Sequence, residues 1–177
     1  MKKLLKYNIP VACICLAVIA VLSVWLGTLI KVSSLKRSAV KAFEKSTLLY
    51  GCPKDDLNKL SGQIIQLYAI GKSVSADGCE NDFASEFANV CSSMTDVGEC
   101  YGKIKVSTGI VYNSILVSPQ ATEQQKTSAK LYFAEINSIM KQLEKSKKYN
   151  DAAKKYNSAI ESLIPGLLFD GDKACVF

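Results

Sequence analysis

Seven cysteines and no histidine bound the chemistry open to this 177-residue chain. Cys52, Cys79, Cys91 and Cys100 fall within one stretch, three of them in turn-like surroundings, YGCP, ADGCEN and VGECYG. Four thiols beside turns suit two disulfides in an oxidising compartment, with three connectivities open. Four unrelated thiols in a cytoplasmic domain are the plainer alternative. If the apolar stripes on either side form an antiparallel hairpin, Cys52 and Cys100 lie near the same end. Cys79 and Cys91 would be about 18 Å apart along a helix rising ~1.5 Å per residue, too far for a bridge. Cys52 to Cys100 is therefore the favoured pair, with Cys175 free. A zinc site is a poor fit, because the chain has neither a C-x-x-C pair nor a His.

Enzyme motifs fail one by one. The absence of His removes the commonest general base and metal ligand. Gly71-Lys72-Ser73 has the ending of a phosphate loop, but Gln66 stands where that loop needs Gly and no strand precedes it. Asp170-Gly171-Asp172 is too short for a calcium loop and reads as a turn. Asp55-Asp56 is accounted for by a helix start. No enzymatic activity, metal or cofactor is expected. After residue 30 the chain holds 19 Lys and Arg (22 less Lys2, Lys3 and Lys6) against 16 Asp and Glu, too even to require nucleic acid.

Two other groups of polar residues stand out. Tyr149-Asn150 and Tyr156-Asn157 repeat one heptad apart, and a buried Asn costs stability unless paired, so they read as a structural polar seam facing a neighbouring helix. Lys141, Lys145, Lys148 and Lys155 follow another stripe, a solvated face or an attraction for anionic lipid or an acidic partner.

The elements that must hold these residues are helices. Residues 9 to 30 carry no charge, and at ~1.5 Å per residue they give roughly 33 Å of helix, enough to cross a hydrocarbon core. A cleaved signal fits less well, because the apolar stretch is too long and lacks an A-x-A-like site. Pro10-Val11-Ala12 before Cys13 is a poor lipobox. The chain thus divides into a basic tail (1–8), a transmembrane anchor (9–30) and one bundle domain (31–177) with a cysteine-bearing middle (50–101). The flanking charges nearly balance, so the cysteines decide the orientation, placing the bundle outside the cytoplasm at the cell membrane.

Few Pro and Gly and many Ala, Lys, Ser and Gln make the bundle all-α. The anchor helix should continue to about Leu49, with Leu35, Val40 and Phe43 as a lateral partner face. Pro53 with Asp55 and Asp56 starts a second helix striped by Leu57, Leu60, Ile64, Leu67 and Tyr68. Phe83, Phe87, Val90 and Met94 mark a third. Ile104, Ile110 and Ile115 mark a fourth, ending near Ser118-Pro119. From Thr122 to about Ile164 no Pro or Gly intervenes, which predicts one long coiled-coil-like helix closing an antiparallel bundle. Its seam is Tyr132, Ile136, Ile139, Leu143, Ser146, Asn150, Ala153, Asn157, Ile160 and Ile164.

The run YNDAAKKYNSAIESLIPGLLFDGDKACVF resembles the carboxyl-terminal signature of the LemA family, in which a YN-x-x-V-x-x-YN helix leads through a Pro-containing segment to a terminal aromatic. Ala153 stands in place of the usual Val. The likeness is clear over about the last 50 residues; the cysteine-bearing middle has no counterpart there. It implies an amino-terminally anchored helical bundle without enzyme activity, working in membrane-associated assembly. The function expected is a non-catalytic scaffold, embedded in lipid and self-associating. The alternatives are a membrane-anchored sensor or adaptor for a partner protein or small ligand and, more remotely, a pilin-like fibre subunit.

Overall fold

The computed structural model describes residues 2–45, 52–80, 82–161 and 173–177, without the side chains of residues 2–10 and 12. Among the described residues there are six helices and no strand: α1 Lys2–Glu44, α2 Pro53–Ser73, α3 Phe83–Val90, α4 Val97–Val117, α5 Glu123–Glu144 and α6 Lys147–Glu161. The fold is an all-α bundle carrying one amino-terminal helix long and apolar enough to span a membrane.

Helices α2 to α5 form one packed unit. Leu57, Leu60, Ile64, Leu67 and Tyr68 are all buried, so α2 presents the stripe its sequence announces, and α5 covers it most extensively. The end of α2 meets the start of α5, where Gln125 Nε2 donates to Ser73 Oγ at 3.1 Å. The start of α4 meets the end of α5, where Tyr101 Oη donates to the Met140 carbonyl at 3.5 Å. Each pair therefore runs antiparallel. Pro53 opens α2 with Asp55 and Asp56 in its first turn, as expected from the positive end of the helix dipole. A capping box between Thr122 and Gln125 starts α5.

Helix α1 belongs elsewhere. Its residues from Cys13 onward include an apolar span with mean hydropathy 2.6 and none of that window buried. Beyond Ile30 the helix continues unbroken, and Val32, Ala39 and Phe43 are buried at helical spacing. They pack on α6, the end of α1 meeting the start of α6 where the Phe43 and Tyr149 rings lie 5.4 Å apart. Leu35 and Val40 are half-buried against the same core. The lateral partner face assigned to Leu35, Val40 and Phe43 is therefore corrected: α6 of the same chain occupies it.

The single long carboxyl-terminal helix is corrected too. The chain leaves helical geometry at Lys145 and Ser146, without Gly or Pro, and divides into α5 and α6. The two halves have different partners. The first half packs on α2 and α4 and the second on α1. Carbonyls freed at the break are taken by tight turns, Lys145 N–H to Gln142 O and Ser146 N–H to Leu143 O, and by the Asn150 amide, which donates to Glu144 O at 3.4 Å. The seam thus serves two interfaces, Ile136, Ile139 and Leu143 in one and Ala153 with Ile160 in the other. Ile164 lies outside the described residues.

Candidate functional site

The two YN pairs come together on one object, the segment Lys173–Phe177, which runs back along α6. Asn157 acts as a backbone mimic: its Nδ2 donates to the Ala174 carbonyl and its Oδ1 accepts from the Ala174 N–H, both at 2.9 Å. One heptad earlier, Asn150 Oδ1 accepts from the Phe177 N–H at 3.0 Å. Between them Tyr149 Oη donates to the Cys175 carbonyl at 2.7 Å, and the Cys175 N–H donates to the Met94 carbonyl at 2.7 Å. Lys173 closes the far end on Glu161 at 2.8 Å.

The spacing has a simple origin. Seven helical residues advance about 10.5 Å, and three residues of extended chain reach about 10 Å. Asn side chains one heptad apart therefore match peptide groups three residues apart. The segment is gripped by its backbone, and its side chains fill what remains: Ala174 and Cys175 are buried, and the Phe177 ring lies 4.8 Å from Tyr101 and 5.3 Å from Tyr149. Asn157 is thus hydrogen-bonded to the returning segment instead of a neighbouring helix, and Asn150 both to that segment and to the end of α5 through Glu144 O. Asn150, Tyr149 and Tyr156 are buried and Asn157 is half-buried.

The cysteines do not pair. All seven are free thiols, which overturns the Cys52 to Cys100 disulfide and any bridge made by Cys79 or Cys91. Each thiol faces its own partner. Cys52 Sγ donates to Phe43 O at 2.8 Å, Cys79 to Tyr68 O at 3.9 Å, Cys91 to Asn58 Oδ1 at 3.4 Å and Cys100 to Glu86 Oε1 at 3.5 Å. Cys52 and Cys100 do begin α2 and α4, which run in the same direction. One faces the end of α1 and the other α3, so nearness to one end did not bring them together. Burial pushes the Cys79, Cys100 and Cys175 thiols up, Cys175 to about 12, and the Glu86 carboxylate adds to the rise at Cys100. None of these three is poised as a nucleophile. No group of metal-ligating side chains occurs among the described residues. Asp170-Gly171-Asp172 lies outside them.

Beside this clasp an open cleft of about 1010 Å³ separates the end of α1 from the α5–α6 corner. Its rim includes Lys45, Lys145, Lys147, Lys148 and Lys154, and Tyr149 and Phe177 form part of its wall. Nothing in the sequence pattern marked this cleft, since its lysines come from three elements. Only Lys145 and Lys148 belong to the stripe noted above; Lys141 and Lys155 are exposed elsewhere. No family model, no curated protein and no solved structure matches the chain.

Proposed function

We propose that this protein is a membrane-tethered scaffold that works by association and not by catalysis, most directly with copies of itself. The observation that carries the reading is α1. One uninterrupted helix is bare through its apolar part and buried through Val32, Ala39 and Phe43, so span and bundle are one rigid piece. Confinement to two dimensions raises the effective concentration of neighbouring copies. The likeness to the LemA family, carried by the sequence of the last 50 residues, forms part of this reading.

The disulfide argument for an extracytoplasmic bundle falls with the disulfides. Free thiols suit a reducing compartment, while Lys2, Lys3, Lys6 and the free amine before the span nearly balance Lys31, Lys36, Arg37, Lys41 and Lys45 after it. Chemical cross-linking in native membranes tests the scaffold: a ladder of homo-oligomers is expected, and monomer alone would remove it. A sensor or adaptor is the second reading, and the open basic cleft is the observation in its favour.

A further inference from the structure

The register of α6 on α1 sets the height of the bundle's lower edge. The helices run antiparallel and the Phe43 and Tyr149 rings meet at 5.4 Å. Twelve residues back from Phe43 reach Lys31, and twelve on from Tyr149 reach Glu161. Each step is about 18 Å, so Glu161 arrives beside Lys31. Val32, Ala39, Ala153 and Tyr156 are buried between, and Ile160 is half-buried against the same core. Lys31 is the first charge past the uncharged run 9–30. The end of α6 therefore lies at the edge of the span, where a headgroup layer about 5–7 Å deep begins. Lys173 returns to the same level, holding Glu161 at 2.8 Å.

Charge at this level is one-sided. No Asp or Glu precedes Glu44 in the chain, and Lys31, Lys36 and Arg37 are exposed. To these α6 adds Lys154 and Lys155, also exposed, level with Ser38 and Arg37 and about 10–12 Å past Ile30. None of the five forms an ion pair among the described residues. All stand within about one Debye length, ~8 Å, of the headgroup layer, and long basic side chains reach further towards it. The acids of α6 offset them little: Glu161 is taken by Lys173, and Asp151 stands about 16 Å out. Asp96, which follows Met94 across the returning segment, accepts from Thr95 Oγ1 at 2.8 Å and leaves a clear positive excess.

We propose that this base is a docking surface for anionic phospholipid headgroups, so that the bundle is seated on the bilayer by α6 as well as anchored in it by α1. This rests on the membrane-span part of the reading above and not on self-association. An acidic protein would have to displace headgroups that already lie beside these side chains. The fold also breaks the near balance of charge across the span, since Lys154 and Lys155 join the trailing side. The cytoplasmic leaflet, which carries the anionic lipid, is then the one that attracts the bundle.

The full chain in phosphatidylcholine vesicles tests this through Trp25, the single tryptophan, which precedes Val32 by one heptad on the same stripe and so lies beneath the end of α6. Its quenching by acyl-brominated phosphatidylglycerol is compared with that by acyl-brominated phosphatidylcholine at equal mole fraction. Wild type should prefer the anionic lipid at least fivefold, about the attraction of one basic residue close to the surface. K154E/K155E should lower that preference at least threefold. K147E/K148E makes the same exchange one heptad further out, about 10 Å higher, and should leave it unchanged, with equal helix content by circular dichroism in all three. No preference in wild type, a preference untouched by K154E/K155E, or an equal loss in both variants would each overturn the proposal. None of these outcomes bears on the cross-link ladder, so the scaffold reading stands or falls separately. A chain that fails to float with neutral vesicles would remove the anchor and this surface together.

Discussion

Asn157 does the work of a strand edge with one side chain, offering a donor and an acceptor at the spacing of a peptide group. Replacing it with Leu should cost about 1–2 kcal/mol, since two hydrogen bonds go and the Ala174 peptide is left without partners at a half-buried site. Urea denaturation would show the loss, and protease cleavage within 173–177 should quicken while helix content stays. Unchanged protection of that segment would mean the Asn is not its anchor. Cys175 gives a second handle. Folded chains hold its proton up to about pH 12, whereas an ordinary thiol loses it near 9.0. Stability is therefore full below about pH 9 and falls as pH climbs from there towards 12. Urea midpoints measured across that range should decline less steeply in C175A; an identical decline would assign the effect to other groups.

Among the helices, two glycines of α2 should respond in opposite directions to the same substitution. Gly62 is exposed, with nothing within 4 Å of a new Cβ, so Gly62→Ala should stabilise by about 0.5–1 kcal/mol through helix propensity alone. At Gly71 a Cβ would meet Val111 Cγ1 at 2.8 Å and Cys79 Sγ closer still, so Gly71→Ala should destabilise by about 1–3 kcal/mol as α2 and α4 are forced apart. Thermal melts of both would test the pair, and equal signs would contradict the packing described. Helix identity was legible where pattern and punctuation agreed, as at Pro53-Asp55-Asp56 and Ser118-Pro119. The break at Lys145-Ser146 was not, because no Gly or Pro marks it and helical spacing runs on unchanged across it. Nor could spacing reveal that Asn150 and Asn157 hold a five-residue segment, since a heptad repeat reads the same against a helix or a peptide. The cysteine pairing failed for a related reason: sharing an end of a bundle does not fix which side a thiol faces.

For the molecule as a whole, the junction between anchor and bundle decides what can be cut away. A fragment beginning at residue 31 keeps Val32, Ala39 and Phe43 and should fold in water with the helix content of residues 31–44 and α2 to α6. One beginning at residue 46 strips the cover from α6, exposing Tyr149, Ala153 and Tyr156, and should aggregate or lose α6. Circular dichroism and light scattering on the two would check this, and equal behaviour would deny α1 its place in the core.

An uninterrupted α1 also means that the bundle has no azimuth of its own. Which way its cleft points, relative to the lipid-facing side of the span, is set by the helical phase accumulated between Ile30 and Val32. Each alanine inserted between Ile30 and Lys31 turns everything above by about 100° and lifts it about 1.5 Å; seven raise it about 10 Å yet return it to within about 20° of its starting bearing. Contacts between anchored neighbours that depend on bearing should therefore vanish and reappear with insertion length at the period of the helix, whereas contacts that depend on height alone should decay without returning. Cross-link yield across a series of one to seven inserted alanines would tell the two apart.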